Sequence, residues 1–247
     1  MLVHEQLTSD GAHLDLRIAT AATRPTSGHV LILVHGLPRA TGMGRQAAGL
    51  LPELAEHLAA ESGWTVATGT LSGVGTSTGT FSARRWREDL GRIIDRMDDG
   101  SRRISLAGFG FGGSLSLAVA ADDDRVRSVA TFAAPAHLEP WCGPAATFRE
   151  RVMEAGVVGD EPPLPAEQLW ADVMDVDPLA AVGRVAPRRL LIGHGTDDVE
   201  VPPSDARDLV AAADGHAELR LIQGAGHQLR ADPRMVATLL GWLDRHR

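Results

Sequence analysis

Lysine is absent from this chain: all 24 cationic residues are arginine. Schiff-base chemistry and a lysine general base are excluded with it. Cysteine is nearly absent too. Cys142 stands alone, so no internal disulfide can form, and a reducing compartment is expected. No apolar run approaches the roughly 20 residues that span a bilayer. The N-terminal MLVHEQLTSDG lacks a basic stretch followed by an apolar core, so no signal peptide is expected. Together these features predict a cytoplasmic protein with no membrane partner. Positive charge is in deficit as well: the formal charge is -8, no segment calls for a basic face, and nothing favours nucleic acid as a partner. No histidine or acidic residue has the spacing of a metal site such as H-E-x-x-H, so neither metal nor cofactor is expected.

What is present is an ordinary globular composition, 44% hydrophobic and 23% charged over 247 residues, enough for one large domain. Short apolar runs alternate with helical patterns. Leu14 to Ala21 alternates as an early edge strand. Val30-Leu31-Ile32-Leu33-Val34 is continuously apolar and β-branched, as a strand buried on both faces should be. Glycines at 42 and 44 delay the next helix, predicted over Gln46 to Ala60. Trp64 to Thr68 is the next strand. Arg84 to Met97 places Trp86, Leu90, Ile93, Ile94 and Met97 on one helical face. Strands follow at Val126 to Phe132, Leu190 to Gly193 and Leu219 to Ile222, with helices at Ser204 to Ala213 and Arg234 to His246. This alternation predicts a doubly wound, mostly parallel α/β sheet with helices on both faces. Ala136 to Val185 breaks the rhythm: it has no good strand, is rich in proline, and carries two short helices around Ala146–Ala155 and Ala166–Met174. Fifty residues are too many for a plain connection. The expected organisation is a core of residues 1–135 and 186–247, with 136–185 inserted as a helical cap.

The chain is organised around Arg102 to Val119, RRISLAGFGFGGSLSLAV. A buried strand breaks into Gly108-Phe109-Gly110-Phe111-Gly112-Gly113 and resumes as a helix. Strand, glycine turn and helix form the frame of a nucleophile elbow, G-x-S-x-G, with Gly110 where serine would stand. Four further landmarks occur in order: His35-Gly36, then Gly73-Val74-Gly75-Thr76-Ser77, then HGTDDVEVP at 194–202, then Gly224-Ala225-Gly226-His227.

Across its full length the chain resembles the α/β-hydrolases. The resemblance implies Asp198 as the acid, His227 as the base and Gly110 at the nucleophile position, with Asp197 the competing acid. It implies an oxyanion hole from the amides of Leu37 and Phe111, and an apolar pocket lined by Phe109 and Phe111. His35 would pack beneath the oxyanion loop; Ser77 would fasten its own turn; Ser114, Cys142 and His194 would be structural, while His137 and His216 have no context. Thr70 and Ser72 stand where many relatives carry Asp and Arg. Glycine adopts the strained turn without the cost of about 1–3 kcal/mol that a side chain incurs there. Two functions stay open. One is a non-canonical hydrolase or pseudoenzyme that binds an apolar acyl or ester-type small molecule. The other is an active non-covalent hydrolase or lyase, in which the Asp198–His227 dyad activates water or abstracts a proton.

Overall fold

A computed structural model describes residues 1–22, 28–38, 49–159 and 161–245. The predicted helix start at Gln46, the glycines at 42 and 44, and the helix end at His246 lie outside them. Among the described residues eight strands form one sheet. They are β1 (Leu2–Ser9), β2 (Ala12–Ala19), β3 (His29–Val34), β4 (Thr65–Gly69), β5 (Arg103–Phe109), β6 (Val126–Phe132), β7 (Arg189–Gly195) and β8 (Ala217–Ile222), in the order β1-β2-β4-β3-β5-β6-β7-β8. β1 pairs antiparallel with β2, and β2 with β4; every later pairing is parallel.

Period-two alternation sorts the side chains of β3. Val30, Ile32 and Val34 enter one apolar layer, Leu31 and Leu33 the other. The Leu31 layer is closed by α1 (Leu51–Ser62) and α9 (Pro233–Asp244), through Leu54, Leu58, Trp242 and Leu243. The opposite layer is closed by α2 (Ala83–Met97), α3 (Phe111–Asp122), α7 (Pro178–Val185) and α8 (Pro203–Ala212). α3 is rich in glycine, serine, alanine and leucine and is buried from Phe111 to Ala120, which lets it lie close against the sheet and α7.

Between β6 and β7 the chain forms α4 (Leu138–Cys142), α5 (Ala145–Ala155), α6 (Ala166–Met174) and α7. Two helices were expected here and four are present. α5 and α6 pack on each other, and α6 reaches α2, where the Asp172 carboxylate accepts from the backbone amides of Ala83 and Arg84. That acid caps the start of α2 together with Ser82, whose hydroxyl accepts from Arg85 N–H at 3.1 Å. α7 behaves differently. It packs on α3 and α8, in the sheet's own helical layer, and buried residues of α4, α5 and α6 join the same apolar cluster.

Candidate active site

The loops that follow β3, β5, β7 and β8 meet at the carboxyl ends of the strands. After β5 the chain turns at Gly110, with φ +53° and ψ -131°, and enters α3 at once. That φ lies in the left-handed region, where a side chain is strained. Gly36, after β3, passes so close that a Cβ on it would stand 2.8 Å from the Phe109 carbonyl oxygen. The absence of a side chain is what lets the two loops touch. A Cβ built on Gly110 would lie 3.5 Å from His227 Nε2 and 3.9 Å from Gly36 Cα. The elbow position, the β3 loop and the histidine therefore share one small space.

His227 is oriented by Asp198. Its Nδ1 lies 2.9 Å from Asp198 Oδ2, so Nδ1–H donates to the carboxylate and the Nε2 lone pair is left toward Gly110. Asp198 is held on every side. Oδ1 accepts from the amides of Glu200 (2.9 Å) and Val201 (3.0 Å), and the side chain is fully buried. Burial opposes the charged form. The hydrogen bonds from His194, His227 and the Val201 amide outweigh it and hold the carboxyl well below the usual carboxylate range. Asp197 is exposed and accepts from Thr196 Oγ1 at 2.8 Å, so it is not the partner of His227.

His194 is more than a packed strand residue. Its Nε2 lies 3.0 Å from Val201 O and 3.2 Å from Asp198 Oδ2. A carbonyl can only accept, so Nε2 carries the proton and shares it with the carboxylate. Nδ1 then bears a lone pair, and it is buried without a hydrogen-bond partner among the described residues. The spacing His194 to Asp198 was visible in the sequence. The sharing of one carboxylate by two rings needed coordinates.

A chain of contacts fixes the β3 loop from below. His35 is buried; its Nε2 accepts from Leu71 N–H at 3.0 Å and its Nδ1 lies 3.0 Å from Gly36 O. Accepting at one nitrogen requires a neutral ring. Burial, aided by the positive charge of Arg230 and opposed by the Gly36 carbonyl, pushes its pKa down to about 4. Leu71 is positioned in turn by α2: Trp86 Nε1–H donates to Ser72 O (2.9 Å), and Ser72 N–H donates to Asp89 Oδ2 (2.8 Å). Buried Asp89 was missed at the sequence level, although an acid at i+3 from a core tryptophan signals a polar group on an apolar face. Ser77 ties its own turn to Thr70 O at 2.7 Å and also accepts from Asp15 N–H at 2.9 Å, joining the turn to β2.

The two phenylalanines give little surface to a pocket. Phe109, 6% exposed, stacks on Phe132 (5.4 Å between centroids), while Phe111 stacks on Trp141 of α4 (5.3 Å). They flank Gly110 in sequence, but their rings enter opposite apolar layers, because Phe109 ends β5, Phe111 opens α3, and the turn at Gly110 lies between them. Leu37 is buried beside them. Neither its amide nor that of Phe111 donates to a described residue. Ser114 donates to Pro135 O at 2.7 Å, and Cys142 is buried. His137, left without context by the sequence, meets Asp208 at 2.9 Å, with Asp205 alongside; Asp205 is occupied by the amides of Ala136 and His137.

A family model described as alpha/beta hydrolase fold matches residues 29–180. The chain belongs to the alpha/beta hydrolase family. Solved structures share its fold over nearly the whole length. They include the alpha/beta hydrolase GrgF from Penicillium sp. sh18 (20% identity, 100% of this chain and 99% of that one, TM-score 0.73). The proline iminopeptidase of Mycobacterium smegmatis is similar at 17% identity (99% and 98%, TM-score 0.72). An alpha-beta serine hydrolase homologue from Coxiella burnetii is similar at 20% identity (99% and 96%, TM-score 0.64). No curated protein matches this alpha/beta hydrolase in sequence. Among its described residues no helix is long and apolar enough to cross a membrane.

Proposed function

We propose that this alpha/beta hydrolase binds an acyl or ester-type small molecule above Gly110 and hydrolyses it without a covalent intermediate. The observation that carries this reading is the orientation of His227. Its Nδ1 is engaged by a buried carboxylate at 2.9 Å, and its Nε2 faces the backbone of Gly110 with room for one methylene between them. A water bound there gives up a proton to Nε2 as its oxygen attacks the carbonyl carbon. The amides of Leu37 and Phe111 stabilise the resulting oxyanion. The proton then passes from Nε2 to the departing alkoxide. Asp198 holds the required tautomer and stabilises the imidazolium that forms.

Gly110 favours a second reading, a binding protein with no turnover, because it provides no nucleophile. The two separate in one experiment. A panel of activated esters, lactones and thioesters is tested with the natural protein, His227→Ala and Asp198→Asn. Turnover that both substitutions abolish supports the dyad as general base. Saturable binding of such compounds without turnover leaves the binding protein.

A further inference from the structure

At the amino ends of the parallel strands, away from Gly110, the molecule carries a cavity. His29 lies opposite Arg103, Ser105 opposite Ser128, and Ser128 opposite Arg189. Paired residues, and residues two apart on one strand, share a face of a sheet. These five therefore project from one face. Further along the same strands that face continues as Leu31, Ala107, Ala130 and Leu191, all buried beneath α1 and α9. The helices end at Ser62 and Asp244, and beside their last turns a cavity of about 490 Å³ opens.

Its lining is one-sided in charge. Arg102, Arg103, Arg127 and Arg189 border it, and among the described residues no carboxylate does. Arg127 enters through a register shift: Ile104 pairs with Val126 but Ser105 pairs with Ser128, so Arg127 is an extra residue between matched pairs. Such a shift re-aims side chains. Arg102 is engaged by Asp99 at 2.8 Å and by Met97 O at 2.9 Å. Arg103 and Arg127 are exposed and make no ion pair or side-chain hydrogen bond with any described residue. The Ser105 and Ser128 hydroxyls meet at 2.7 Å at the floor. Unopposed cations on neighbouring strands repel, in a chain whose net charge is -8. A multiply charged anion removes that repulsion. Guanidinium forks match the paired oxygens of a phosphoryl group, and one carboxylate would leave half the charge of Arg103 and Arg127 unmet.

We propose that this cavity binds a small molecule bearing a phosphoryl or diphosphoryl group, held by Arg103 and Arg127, with Arg102 and Arg189 closing the sides. A volume of about 490 Å³ suits a ligand of metabolite size. The site lies at the other end of β5 from Gly110, about 20 Å along the strand. It does not depend on the hydrolytic reading.

Calorimetric titration of the full chain with inorganic pyrophosphate tests it, with acetate at matched ionic strength as control. Saturable binding of pyrophosphate and none of acetate is expected. The double variant Arg103→Gln/Arg127→Gln should bind at least about tenfold more weakly, while His227→Ala binds as the natural protein does. If the Gln pair unfolds, Arg103→Lys/Arg127→Lys replaces it: the forks are lost with the charge kept, and weaker binding is again expected. Glycerol 3-phosphate and phosphatidic acid vesicles, run side by side, distinguish a free metabolite from a lipid headgroup. No saturable pyrophosphate binding, unchanged affinity in the folded double variant, equal displacement by acetate, or loss of binding in His227→Ala would each overturn the assignment.

Discussion

His194 and His227 close on the same oxygen of Asp198, Nε2 of the first at 3.2 Å and Nδ1 of the second at 2.9 Å. One ring comes from the end of β7 and the other from the loop after β8, so the carboxylate joins two strand ends as well as orienting a base. Replacing His194 by Ala removes a donor from a buried charge, a change that costs about 1–3 kcal/mol. Urea unfolding should register that loss. The Asp198 carboxyl should also titrate at higher pH in the variant, which carbon-detected NMR of its side chain measures. An Asp198 titration unchanged from the natural protein would show that His194 only fills space.

His35 makes stability depend on pH. Its folded-state pKa is about 4, against 6.5 for the free side chain. Between these values the unfolded chain binds a proton that the folded chain refuses. The contribution is therefore complete above pH 6.5 and is lost as pH falls toward 4. At 1.36 kcal/mol per unit the loss reaches about 3 kcal/mol. His35→Gln, which can both donate and accept, should flatten the stability curve across this window. The check is chemical denaturation at a series of pH values on both proteins.

The clamp on the β3 loop begins in α2. Asp89→Ala removes the acceptor for Ser72 N–H in a buried setting, and a cost of about 1–3 kcal/mol is expected. Because Leu71 N–H, one residue away, donates to His35, hydrogen exchange at Leu71 should accelerate in the variant. Exchange there at the natural rate would separate α2 from the loop.

Gly110→Ser restores a side chain in a left-handed turn, so the melting temperature should fall in step with about 1–3 kcal/mol of returned strain. The new Cβ meets His227 Nε2 at 3.5 Å, which brings the hydroxyl within reach of a base. This variant should release a burst of product from p-nitrophenyl acetate, the mark of an acyl-enzyme.

The parallel core was legible because burial on both faces leaves an unmistakable apolar run, as in Val30–Val34. β1 was not anticipated: most of its residues are exposed, and its one signal was Asp10-Gly11, the turn that reverses it with positive φ at both positions. α7 was missed although Asp177-Pro178 marks its start, with Asp177 Oδ1 accepting from Ala180 N–H at 3.1 Å. At the site, motif order brought Asp198, His227 and Gly110 to attention. The sharing of the Asp198 carboxylate by His194 and His227 and the clamp through Asp89 depend on distances between segments, which spacing along the chain does not carry. The stacking of Phe109 on Phe132 was not legible either, since flanking Gly110 in sequence does not decide which face of the sheet receives the ring.

The most direct test of the central claim is the pre-steady-state time course of p-nitrophenol release from p-nitrophenyl acetate, on the natural protein and on His227→Ala. Water activation by the dyad predicts release that is linear from the first moment and lost in His227→Ala. A burst matching the protein concentration, or a rate that His227→Ala leaves unchanged, would contradict it.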